Sequence, residues 1–400
     1  MDKRNILAPV LFAVIFSAVS YGEPLKSSSW GFRIDLPEEY EYISGDNRDR
    51  FSFRTSEGAK FDLAVYPPAR GAAFPSIEAL AEDIKKRLNS AGETTVFEYR
   101  NKKAVLLRLE FSISEAPSRG NRAQDVRLSG WGLCMELESQ TAGTPMLAAL
   151  AYGDAEKAEL QNFALSALDS LAPLEGDQRY PGPITEFSYP RGKRVRVSPF
   201  GLQLEAFACE NDPQGAQALV DREFEVLQHS AGKPNWKEAW TRFYRAIYRD
   251  SFSRLSDIAF ALERHWALDP ISTPVTGSGD QAPPGLAEKA LAWVQTFSYE
   301  RDFLGSDFVN LVTAAIEGRG DCDSRAMLWA IIIDQANIPG AIMVSSDYSH
   351  AMGLIDIPGP GARFDWAGKR WLVAETTAKV SLGLISQKVS DPAHWLGIIF

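Results

Sequence analysis

The sequence predicts an α+β protein of two units: an antiparallel sheet with two helices, then a helical segment that leads into a second sheet. Three observations carry that expectation. Short runs of alternating apolar and polar residues crowd the first part of the chain, from about residue 30 to 154. Apolar residues at three- and four-residue spacing then dominate residues 210 to 267. Finally, the stretch EGRGDCDSRAMLWAIIIDQANIPG (317 to 340) passes from a glycine-rich turn into an apolar helix, and strand-like runs follow it.

The elements follow in order. Lys3 and Arg4 precede an apolar stretch from Ile6 to Val19, and Ser20 and Gly22 stand at −3 and −1 of a cut before Glu23. Residues 1–22 are therefore expected to be a secretory signal peptide, too short for a span of about 20 residues, and the mature chain to be secreted or periplasmic. Residues 28–173 hold the first unit. Its first helix is expected over 76–91, with Ser76 as N-cap and Ile77, Leu80, Ile84 and Leu88 on one face; its second is expected over 156–173. Residues 174–190, rich in Pro and Gly, read as a linker. The second unit spans 191–400, with a helical part at 210–267 and a core at 285–390. One long helix is expected from Asn235, where Asn235 and Glu238 are spaced as a capping box. Residues 270–285 read as a loop, and a further helix is expected over 285–302, ending near Tyr299.

Composition narrows the function. The chain has 400 residues, is 45% hydrophobic and carries a formal charge of −10, so a generic polyanion-binding role is not expected. The basic run at 190–197 alternates Arg194 and Arg196 with Val195 and Val197, which reads as a strand with a solvated basic side. There is no CxxC, HExxH, EF-hand or GxxxxGK[ST] pattern, so neither metal nor cofactor is expected. Of three cysteines, Cys134 and Cys209 lie in strand-like runs. They either pair, leaving Cys322 free, or stay as unpaired structural thiols, which is the simpler reading.

Cys322 differs from both because it stands in front of the apolar run from Ala326 to Ile333 rather than inside it. Asp321 or Asp323 can cap the helix, which is expected to end near Ala336. In its first turn, free backbone N–H groups favour a thiolate. The flanking aspartates oppose that. A base is therefore needed, and among four histidines His350 opens a strand-like run. If 358–367 is a plain loop and residue 357 pairs with 368, His350 falls opposite Glu375 on one sheet face. A carboxylate there can fix the imidazole tautomer and leave the second nitrogen for the thiol. Gln295 and Tyr299 are alternative oxyanion donors beside the Cys322 N–H.

Two resemblances follow from these residues. The strand–helix order of residues 28–173, from GFRIDLPEEY to the closing SLAP, resembles PsbP-like domains, which implies a docking or accessory role. The motifs GDCDSRAMLWAIIIDQANIPG, HAMGLIDI and WLVAETTAKVSLGLI resemble the transglutaminase-like superfamily of papain-like thiol enzymes. That resemblance implies Cys322 as nucleophile, His350 as general base and acid, and Glu375 as orienting carboxylate. Met352 departs from the aromatic residue that members often carry after the histidine. The implied reaction is acyl transfer through a thioester on a protein or peptide substrate, with cell-envelope material as one source. Hydrolysis by a peptidase or amidase is favoured over transamidation, and a catalytically inactive envelope-binding module is the rival reading.

Overall fold

A computed structural model describes residues 24–68, 74–115, 124–138, 143–267, 285–301 and 306–400. The expected signal peptide and the loop at 270–284 lie outside the described residues. With 35% helix and 29% strand, the protein is α+β, as expected.

A two-stranded pair, β1 (Leu25–Lys26) and β2 (Arg33–Ile34), precedes a seven-stranded antiparallel sheet. Its strands are β3 (Glu41–Gly45), β4 (Arg50–Arg54), β5 (Lys60–Tyr66), β6 (Thr94–Tyr99), β7 (Lys102–Glu115), β8 (Gln124–Glu136) and β9 (Met146–Asp154), in the order β3-β4-β5-β9-β8-β7-β6. Alternation decides which helix each face receives. Val105, Leu107, Leu109 and Cys134 meet α1 (Ile77–Leu88), whereas Ala104, Leu106, Leu133 and Met135 meet α2 (Glu159–Asp169). Ser76 caps α1 as expected, accepting from the Ala79 N–H at 3.3 Å, and Asn89 ends it with φ 49°.

The segment 174–190, expected as a linker, is packed. It forms a 3₁₀ turn (Glu175–Arg179) and α3 (Pro183–Ser188), with Pro183 at the first helical position, where its missing N–H is harmless. The Asp169 carboxylate accepts from the Ile184 and Thr185 N–H groups, both at 2.8 Å, so Pro and Gly here set a fixed path rather than a loose one.

A hairpin follows, β10 (Arg194–Val197) and β11 (Ala206–Cys209). Arg194 pairs with Asp257 and Arg196 with Glu205, so the basic side is locally balanced. Then come α4 (Asp212–Gln228), α5 (Trp236–Arg254) and α6 (Ser256–Ala267). The single long helix expected from Asn235 breaks at Leu255, where the Ser256 hydroxyl donates to the Ser253 carbonyl and competes with the helical ladder. Nor does the expected capping box form, because the Asn235 side chain makes no capping bond.

The remaining helices are α7 (Gly285–Val294), α8 (Leu311–Glu317) and α9 (Cys322–Gln335). The helix expected to reach Tyr299 stops at Val294, because β12 (Ser298–Tyr299) pairs in parallel with β13 (Arg319–Gly320) just before Cys322. Tertiary pairing outweighs the helical pattern there. Buried from Ala326 to Ile333, α9 packs on a five-stranded antiparallel sheet of order β16-β17-β15-β14-β18. Its strands are β14 (Gly340–Ser345), β15 (His350–Ile355), β16 (Arg363–Trp366), β17 (Lys369–Ala374) and β18 (Leu396–Ile398). Gly353 lets the sheet approach closely: a Cβ there would lie 2.4 Å from the Trp329 ring.

Candidate thiol site

Local sequence sets the cysteine's position. Asp321 is the N-cap of α9, its carboxylate accepting from the Ser324 N–H at 2.8 Å and the Ser324 hydroxyl at 2.6 Å. Cys322 is therefore the first helical residue, as expected. Asp323 is held instead by Tyr244 of α5, whose hydroxyl donates to it at 2.9 Å. Arg325 donates to the carbonyls of Gly320 and Phe297, tying the turn before Cys322 to the end of α7, and its guanidinium lies 5.5 Å from the Tyr299 ring.

His350 and Glu375 are in direct contact, with Nε2 to Oε2 at 2.9 Å. The route to that contact differs from the expected hairpin. Residues 358–367 contain β16, which turns tightly through Ala367 and Gly368 into β17, and β17 then lies beside β15. Both turn residues have positive φ, 48° and 76°, as a type I′ hairpin requires. In the actual register Gly353 faces Ala374, Leu354 faces Val373 and Ile355 faces Leu372. Extended along the strands, that register puts Glu375 opposite Met352, two residues from the expected pairing. A two-residue shift preserves the side of the sheet, so the carboxylate reaches the imidazole diagonally. Thr377 fixes the other carboxylate oxygen through its N–H at 2.8 Å and its hydroxyl at 2.6 Å. Burial pushes the Glu375 carboxyl up, but the bonds from His350 and Thr377 outweigh this and hold it below the usual range.

The two auxiliary candidates separate. Gln295 gives its amide to the carbonyls of Glu375 and Val380, at 2.8 and 2.9 Å, so it anchors the segment that carries the carboxylate. Tyr299, exposed on β12, brings its hydroxyl to the Cys322 sulfur. The Ala351 N–H approaches the same sulfur. Both interactions favour a thiolate. Burial and the charges of Asp323 and Asp321 work against them and prevail, pushing the thiol up to about 12. The two aspartates are raised as well, chiefly by burial. Among the described residues there is no hydrogen bond between His350 and Cys322; the link runs through Ala351, which follows His350 in the chain and shares a core with Cys322.

Sequence reasoning missed Tyr244, Arg325 and Trp395. Trp395 sets its ring edge-on to His350 at a centroid distance of 6.2 Å, and Met352 is buried in the same cluster as Trp395. The aromatic neighbour of the histidine thus comes from the C-terminal segment, where no local motif announces it.

Asp321, Cys322 and Asp323 also bring three ligand-type atoms within 4.8 Å of one another. The hydrogen bonds to Ser324 and Tyr244 already engage the two carboxylates. Cys134 and Cys209 are free thiols, in agreement with the simpler reading. No helix among the described residues is long and apolar enough to cross a membrane.

No protein-family model matches this chain, and no curated protein matches it. Among solved structures, a protein from Bacteroides thetaiotaomicron VPI-5482 aligns over 59% of this chain and 79% of its own. The identity is 9% and the TM-score 0.25, a likeness too weak to carry any argument.

Proposed function

We propose that this protein is a secreted thiol enzyme of the transglutaminase-like type that transfers acyl groups through a Cys322 thioester and mainly hydrolyses peptide or amide bonds. The observation that carries the reading is the 2.9 Å His350–Glu375 contact beside the first turn of a helix that starts at Cys322. With Nε2 engaged by the carboxylate, Nδ1 is the imidazole nitrogen left to take the thiol proton. A thiol at about 12 is neutral at rest, so proton removal accompanies attack on the substrate carbonyl. The Cys322 N–H, one of the partnerless amides of a helix start, and the Tyr299 hydroxyl are suited to receive the developing oxyanion. The imidazolium then protonates the leaving amine, and water releases the acyl group. Imidazole and sulfur close up when substrate enters, since such bonds are often long in the free enzyme.

In this reading the second unit, from 191 to 400, is a papain-like catalytic domain and the first a PsbP-like accessory domain that docks the substrate. Proteins or peptides of the cell envelope are its natural targets. A second reading has its own support: Cys322 is only 4% exposed and its thiol is pushed up, which suits a domain that binds without turnover.

Incubating wild type and Cys322→Ala with envelope extracts, with and without a primary-amine probe, separates these readings. New N-termini made by wild type alone support hydrolysis, and probe incorporation by wild type alone means transamidation. Identical retention of ligands by both proteins, with no product, would falsify the enzymatic reading.

A further inference from the structure

Among the described residues three arginines are buried: Arg242, Arg254 and Arg325. Two of them are neutralised where they lie. Arg242 meets the Glu223 carboxylate at 2.7 Å, and Arg254 meets those of Asp250 and Asp212, each at 2.8 Å. Arg325, three residues after Cys322 on α9 and 2% exposed, has no ion pair among the described residues. Its guanidinium donates to the carbonyls of Gly320 at 3.2 Å and Phe297 at 2.8 Å. Burial lowers its pKa, but a guanidinium starts so high that it stays charged. A buried cation held by neutral oxygens is costly, and its field is poorly screened.

The acidic groups that feel this field are Tyr299, Asp321, Cys322 and Glu375. Asp321 is already bound by the Ser324 N–H and hydroxyl, and Glu375 by His350 and Thr377. The group left to gain a negative charge is the Cys322 sulfur. Residues 322 and 325 lie one helical turn apart, on the same side of α9. Tyr299 touches both: the guanidinium lies 5.5 Å from its ring centroid, and its hydroxyl reaches the sulfur. A cation against a phenol ring draws electron density from it, which makes the O–H a stronger donor.

We propose that Arg325 is a positioning residue for the thiol: its buried charge, acting directly and through the Tyr299 ring, holds the negative charge that forms on Cys322. The two carbonyl bonds also tie the turn before Cys322 to the end of α7, and a merely structural role would stop there. The two roles separate in a lysine variant, which keeps the charge but cannot reproduce the planar fork. Any consequence for turnover rests on the thiol-enzyme reading. The effect on the sulfur itself does not.

The test is the rate of Cys322 alkylation by iodoacetamide in the full chain, from about pH 7 to 10, with the labelled peptide mapped by mass spectrometry. Arg325→Gln is expected to slow alkylation about three- to tenfold across this range, because the thiolate is less favoured, while Arg325→Lys stays within about twofold of wild type. Made in a Tyr299→Phe background, Arg325→Gln should have at most about half that effect; an undiminished effect overturns the part assigned to the ring. Cys134 reports the fold, since it is buried and stays unlabelled in the native state. If Arg325→Gln exposes Cys134, Arg325→Lys decides: a rate within about twofold of wild type supports the proposal, and a slower one overturns it. Equal slowing by glutamine and lysine, or none by glutamine, overturns it as well. A wild type that labels as expected yet yields no product removes the thiol-enzyme reading and leaves this one standing.

Discussion

Two buried cysteines, Cys134 on β8 inside the seven-stranded sheet and Cys322 at the start of α9, have thiols pushed up to about 12. The causes differ. At Cys134 the cause is burial alone, among Val105, Leu107 and the α1 side chains. At Cys322 burial is joined by two aspartates and opposed by the Ala351 amide and the Tyr299 hydroxyl. Titration position therefore does not mark a functional thiol. The polar groups around it do, because they can act on the sulfur when a substrate changes its solvation.

The largest effect expected from this contrast is in turnover. Cys322→Ala should lower acyl-transfer activity by roughly 10³-fold or more, while Cys134→Ala should leave it unchanged. Cys134→Ala should instead cost about 1–2 kcal/mol in a denaturant titration, since it opens space in a tightly packed face. Equal loss of activity in both variants would mean that the fold, not the thiol, is being measured.

Next in size is Glu375→Gln. It keeps the shape but removes the charge that orients His350, and a loss of roughly 10²-fold in kcat is expected, with little change in melting temperature. An unaltered rate would place Glu375 among the structural residues.

Asp323→Asn sharpens the electrostatic half of the comparison. An asparagine oxygen still accepts from Tyr244, but the negative charge beside the sulfur is gone. The sign follows directly: with less like charge nearby the thiolate is less disfavoured, the Cys322 pKa falls, and more thiolate is present at pH 8. Alkylation of Cys322 by iodoacetamide should speed up by about three- to tenfold, roughly half to one pKa unit, while Cys134 stays unlabelled. Slower labelling would reverse the assigned sign.

The smallest expected effect runs the other way. Tyr299→Phe removes a hydroxyl that favours the thiolate, so alkylation and turnover should each fall by about fivefold, the worth of one hydrogen bond of about 1 kcal/mol. No change in either rate would remove Tyr299 from the site.

How much of this was legible in the sequence depends on how far apart the interacting residues lie. The α+β class, α1 with its Ser76 cap, and a buried α9 starting at Cys322 follow from capping and periodicity, which act over three or four residues. The His350–Glu375 partnership was legible too, but through a hairpin that does not exist. Parity along a strand survived a two-residue change of register.

Features set by distant chain segments were decided by tertiary structure alone. Tyr299 left its expected helix because residues 319–320 offered a strand to pair with, and α5 and α6 separated where Ser256 bonds Ser253. Trp395 reached His350 from 45 positions along the chain, and Tyr244 reached Asp323 across 79. Helix starts and apolar faces are local properties of the chain, so the sequence alone determined them. Burial and long-range hydrogen bonds exist only once the chain has closed on itself, and they decide what a thiol, a carboxylate or a guanidinium can do.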